Sequence, residues 1–159
     1  MSCLFGVLGM ETMRKTQYLT AVLVAATGLS ALAAGAAENG NNYRTRLSTV
    51  PIDVSMQAIV AGQGQVMASL VGNKLTVNGT ASGLKSPATE AHIHRGAPGI
   101  PGPSILDLTT TRTTTPTISG TVDLTPSMVD DLKNGQLYVQ LNSERAPDGN
   151  LRGWLTHTN

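Results

Sequence analysis

The chain has 159 residues and one cysteine, Cys3, so no disulfide can form within it. Aromatic residues make up 3% of it, and a core must therefore be built from Val, Leu, Ile, Met and Ala. Charged residues are 13% and the net charge is +1. Electrostatic binding to nucleic acid needs a basic face, and this balance leaves no surplus of cations to make one. A chain held open by self-repulsion needs a large charge of one sign, which is also lacking. The G-x-S-x-G elbow, the P-loop and the dinucleotide fingerprint do not occur. Acidic residues stand singly apart from Asp130-Asp131, and there are three histidines. A nucleophile, a base and an orienting group are hard to assemble from that stock. Hydrophobic residues at 40% still suffice for the core of one domain.

The N-terminus reads as an export signal. Met13-Arg14-Lys15 supplies positive charge, and Tyr18 to Leu32 is apolar or small. The small-residue run Ala31 to Ala37 follows. This three-part order is that of a cleaved secretory leader. An apolar run of about 15 residues falls short of the roughly 20 that a membrane-spanning helix requires. Cleavage after Ala36 or Ala37 starts the mature chain near Glu38. Residues 1–12 fit a leader poorly, and Met10 or Met13 makes a better start. The exported chain is then free of cysteine, with no stable membrane span, and faces a periplasmic or extracellular setting. The expected organisation is a leader at 1–37, a linker and strand at 38–54, and a domain at 55–159.

Beyond a polar linker at Asn39 to Asn42, apolar residues recur with a period near two. Gln65–Val71 places Val66, Ala68 and Leu70 on one face, and Lys74–Ala81 does the same with Leu75 and Val77. Gly72-Asn73 between them makes a hairpin turn. Further strands are expected at Glu90–His94, Ile105–Leu108, Thr117–Leu124, Gln136–Asn142 and Asn150–Thr156, with an earlier one between Tyr43 and Val60. One helix interrupts the series. Thr125 caps it, Pro126 opens it, Met128, Val129 and Leu132 form its apolar stripe, and Gly135 ends it. The fold class is all-β: an antiparallel β-sandwich or Greek-key barrel with one short helix. Gly96 to Pro103 is a fixed, turn-rich loop, and Thr109 to Thr117 an exposed loop or edge ribbon. Asn78-Gly79-Thr80 matches a glycosylation sequon but falls inside a strand.

Ala91-His92-Ile93-His94-Arg95-Gly96 and Gly102-Pro103 precede Leu124-Thr125-Pro126, Gln136-Leu137-Tyr138-Val139 and Pro147-Asp148-Gly149-Asn150-Leu151-Arg152-Gly153. This ordered set resembles the CHRD domain, named after chordin and common in exported bacterial proteins. The likeness spans roughly residues 55 to 156. It implies an immunoglobulin-like or superoxide-dismutase-like β-barrel. The family pattern has a V-H-T where this chain has Leu141-Asn142-Ser143, so Asn142 stands in the place of a histidine.

Residues two apart on a strand share a face, so Ala91 and Ile93 enter the core while His92 and His94 project together outward. Glu90 joins them. Two imidazoles at that spacing can converge on copper or zinc, with Glu90, Asn142 or His157 as possible third ligands. The opposing reading is that the two rings hydrogen-bond to the adjacent Gly/Pro loop and hold it. Glu144 and Asp148 are expected to pair with Arg152, and Trp154 to cover an edge of the barrel or mark a contact surface. Three functions follow. The leading one is a non-catalytic extracytoplasmic module, binding an unidentified partner or serving a structural role, without a cofactor. The second is a copper- or zinc-binding protein using His92 and His94. The third, a superoxide-dismutase-like redox enzyme, lacks a full ligand set.

Overall fold

The computed structural model describes residues 41–51 and 53–158. The expected leader, with Cys3, both alternative starts and the cleavage point, lies outside them. The strands are β1 (Asn41–Thr49), β2 (Gln63–Val71), β3 (Lys74–Ser82), β4 (Ala88–Arg95), β5 (Ser104–Thr110) and β6 (Thr117–Asp123). Helix α1 (Pro126–Lys133) then precedes β7 (Leu137–Ser143), β8 (Ala146–Trp154) and the two-residue β9 (Thr156–His157).

All pairings are antiparallel, in the order β2-β3-β6-β5-β4-β7-β8-β1-β9, and a β1–β2 pairing closes the ring. Among the described residues the result is a barrel of eight long strands with one short helix. The sub-order β7-β4-β5-β6 is a Greek key, since β7 returns to lie beside the first of three hairpin-linked strands. β1 joins two parts of the wall: residues 41–47 pair with β2, while Ser48 and Thr49 pair with β8. The opposite join is narrow. β5 meets β6 only at Thr109–Ser119 and Thr110–Ile118. Beyond those pairs the gap is filled by side chains. Leu106, Leu108 and Val122 pack against the core, and a Cβ on Gly120 would stand 2.7 Å from Leu108 Cδ2.

Alternation put the expected residues inside. Val66, Leu75, Val77, Ile93, Leu137, Val139, Leu141, Leu151 and Leu155 are fully buried. The helix also forms as its sequence dictates. Thr125 Oγ1 accepts from the Met128 amide at 3.4 Å, Leu132 is buried, and Gly135 takes φ 67° just past the end. No helix among the described residues is long and apolar enough to cross a membrane.

Two segments depart from the expectation. Asn41 and Asn42 belong to β1 and not to a linker, because their backbones pair with Leu70 and Ser69 whatever their side chains prefer. Pro147-Asp148-Gly149 lies within β8, and the turn into that strand is at Glu144-Arg145. The ladder slips between Leu141 and Ser143, so β8 carries extra residues as a bulge. Gly149 sits there at φ 135°, with Gln140 and Val50 each 3.2 Å from where a Cβ would be.

Candidate functional site

On β4, Ala91 and Ile93 are 1% and 0% exposed, while His92 and His94 stand half-buried on the outer face. Their ring centroids are 6.0 Å apart. The register sets their neighbours. Asp107 on β5 is opposite His92, and Tyr138 on β7 is opposite His94. One strand further, Trp154 is opposite Tyr138 and Arg152 is opposite Gln140.

His92 Nδ1 lies 2.9 Å from Asp107 Oδ1, and its Nε2 lies 3.4 Å from Glu90 Oε2. A carboxylate only accepts, so Nδ1 donates to Asp107. His94 Nδ1 lies 3.0 Å from the Gly102 carbonyl and donates to it by the same reasoning. That tautomer leaves His94 Nε2 a bare lone pair, and the atom is buried with no protein partner. Burial of the ring holds the His94 pKa below the usual 6.5. Charge on His92 and Arg152 pushes the same way, and only the Gly102 carbonyl opposes it.

Tyr138 is the centre of the cluster and is 1% exposed. Its ring stacks on His94 at 4.9 Å and 15°, and packs tilted against Trp154 at 4.8 Å and 41°. The Arg152 guanidinium carbon sits 5.2 Å from its centroid. Its hydroxyl donates to the Gly102 carbonyl and accepts from the Gly102 amide, both at 3.0 Å. Trp154 Nε1 donates to the Gly96 carbonyl at 2.9 Å. Three rings on three adjacent strands therefore each give a polar atom to the same loop.

The loop is built to be held. Arg95 N donates to Pro103 O at 3.0 Å, and Gly96 N to Gln136 O at 2.8 Å. Neither Gly96 nor Gly102 has room for a side chain, since a Cβ would overlap Ile100 O and Arg95 O respectively. Ile100 N bonds Ala97 O at 2.8 Å across Pro98 and Gly99, and Gly99 has φ 85°. Proline second and a positive-φ glycine third make this a type II turn. Ile100 at its tip is 62% exposed.

The pairing expected for Arg152 is overturned. Its Nε and Nη2 donate to Gln140 Oε1 at 3.0 and 2.7 Å, and not to Glu144 or Asp148. Gln140 stands directly across the ladder, whereas Glu144 lies in the turn and Asp148 four residues earlier on the same strand. Gln140 Nε2 donates in turn to Asn142 Oδ1 at 3.1 Å and to the Asp148 carbonyl at 3.2 Å. Asp131, half of the acidic pair on α1, is buried against Arg95, while Asp130 faces solvent.

The structure thus brings His92, His94 and Glu90 together. Asn142 is engaged by Gln140, and His157 lies on β9 edge-on to Tyr43 at 5.4 Å. Among the described residues, no group of three or more His, Cys, Asp or Glu is arranged to hold a metal ion. The family model described as the CHRD domain matches residues 45–155. The chain belongs to the CHRD family. The match takes in all of the loop and the cluster behind it. No curated protein and no solved structure matches this CHRD chain.

Sequence reasoning missed Tyr138, Gln140 and Asp107 in this CHRD site. A signal for Tyr138 exists: it alternates with Leu137 and Val139, which puts its ring outside, beside the histidines. Asp107 and Gln140 become visible only when the strands are in register.

Proposed function

We propose that this chain is an exported CHRD domain acting as a non-catalytic module for binding or structural support, on a superoxide-dismutase-like or immunoglobulin-like barrel. Belonging to the CHRD family supports the module reading in general. One observation carries it at the residue level. The polar atoms of His94, Tyr138 and Trp154 are directed at the backbone of the Gly96–Pro103 loop and hold it, not at a cleft for substrate. Arg152, Gln140 and Asn142 satisfy one another in the same way.

The test is unfolding of the purified protein with and without a strong chelator. An unchanged midpoint is expected, and loss of folding on chelation overturns the reading. Export is checked by N-terminal sequencing of protein recovered outside the cytoplasm, with a start near Glu38 expected.

A second reading is favoured by the bare, buried Nε2 of His94, 6.0 Å ring-to-ring from His92. Such a lone pair is what a copper or zinc ion takes from imidazole. Calorimetric titration with Cu(II) or Zn(II) tests it. Unaltered affinity in the His92→Ala/His94→Ala variant removes it.

A further inference from the structure

A second feature lies away from the loop. A groove of about 970 Å³ runs along β1, β2, β3 and the end of β8. It sits at the upper end of the roughly 300–1,000 Å³ typical of small-ligand clefts. Arg44 and Arg46 line it, two apart on β1 and hence on one face of the strand. Their Cα atoms are about 6–7 Å apart along an extended strand. Both side chains are exposed, and none of the ion pairs among the described residues involves either one. Among the described residues, no Asp or Glu lines the groove. Arg46 is already oriented, because its Nη2 donates to Gln63 Oε1 at 3.0 Å, which leaves its other donors unspent.

The rest of the lining narrows the ligand. Hydroxyl and amide side chains predominate, Thr80, Thr115 and Thr156 among them. Trp154 is also among the lining residues, and its ring is fixed by a tilted contact with Tyr138 at 4.8 Å and by the bond from Nε1 to Gly96 O. A small inorganic anion has no use for an aromatic wall or for a cleft of this length. A neutral sugar has no use for two unpaired guanidiniums. A chain of sugar rings carrying carboxylates uses all three, through apolar ring contact with the indole, hydrogen bonds to hydroxyls, and carboxylate–guanidinium pairs.

We propose that this groove binds an acidic oligosaccharide, with Arg44 and Arg46 taking its carboxylates and Trp154 one ring face. The proposal rests on the module reading and names what the module binds.

Trp154 is the only tryptophan of the chain, so its fluorescence reports on the groove wall. The full chain is titrated with trigalacturonate, with a neutral trisaccharide and with inorganic sulfate. Calorimetry gives affinity and Trp154 emission gives location. Saturable trigalacturonate binding is expected, with a change in emission and weakening as salt rises. Arg44→Gln/Arg46→Gln is expected to lose at least tenfold in affinity with the thermal midpoint unchanged, since both side chains are exposed. Arg46→Lys, which keeps the charge, is expected to keep more affinity than Arg46→Gln. Lys133→Gln, at the end of α1, removes the same kind of charge elsewhere and is expected to bind as the parent does. Absent uronide binding, equal binding of the neutral sugar or of sulfate, or an equal loss in Lys133→Gln overturns the proposal. If the uronide fails while folding stays independent of chelator, the ligand is wrong and the module reading stands. A chelator-dependent midpoint removes the module reading whatever the uronide does.

Discussion

His94 lies nearly parallel to Tyr138, and both side chains hydrogen-bond the same carbonyl, that of Gly102. Side chains from neighbouring strands therefore meet at one backbone atom of the loop. The loop is held by that shared acceptor as well as by its own glycines and turn.

Removing one hydroxyl tests this. Tyr138→Phe keeps the stack but strips the Gly102 amide of its acceptor. Leaving a part-buried donor unsatisfied costs about 1–3 kcal/mol. A lower urea midpoint with an unchanged m-value is expected, together with faster hydrogen exchange at the Gly102 amide. Unchanged exchange there contradicts the clasp.

The His94 ring makes stability depend on pH. Its pKa in the folded protein is below the usual 6.5, so the unfolded chain takes up the proton first as the solution is acidified. Stability is complete above about pH 6.5 and is lost as pH falls from there toward the folded-state value. The groups facing the ring are His92 on β4, Tyr138 on β7 and Arg152 on β8. Unfolding midpoints from pH 8 to pH 5 are expected to fall for the parent. They are expected to fall less for His94→Asn, which keeps a donor for Gly102 but does not titrate.

The two kinds of glycine in the loop predict different costs. Gly99→Ala meets no atom within 4 Å and pays only for its left-handed backbone, about 1–2 kcal/mol. Gly102→Ala pushes a methyl group into the Arg95 carbonyl, and overpacking of that kind costs about 1–3 kcal/mol or more. It also displaces the Gly102 carbonyl from His94 and Tyr138. Thermal unfolding of the two variants is expected to rank Gly102→Ala clearly below Gly99→Ala.

Helix α1 offers a separate pair. Thr125→Ala removes the cap at a cost of about 0.5–2 kcal/mol. Leu132→Ala empties a fully buried site and costs about 2–5 kcal/mol. Equal destabilisation of the two in urea contradicts the assigned burial.

The inward residues and the helix were legible because each is a local pattern. Val66-x-Ala68-x-Leu70 needs only a period of two, and Thr125-Pro126 through Gly135 needs only cap chemistry. The outward projection of His92 and His94 followed from the same alternation. What escaped was register. Arg152 finds Gln140 because the β7–β8 register sets the two opposite each other, while Glu144 lies in the turn, and no periodicity in the sequence announces that register. The loop reading was half right. His94 does hold the Gly/Pro segment, but His92 turns to Asp107, which depends on how β5 is aligned beside β4. Tyr138 was the costliest omission, since an aromatic residue at an outward position of a strand marks a surface that something else must cover.

The two-pair join between β5 and β6 leaves Ile105–Asp107 and Thr121–Asp123 with one flank each outside the ladder. Such borders invite a strand from another molecule. Here Asp107 and Asp123 stand on the two sides, with side chains 89% and 67% exposed. Asp107 accepts from His92 and Asp123 pairs with Lys74, so a strand approaching this opening meets charged side chains and not a bare apolar edge.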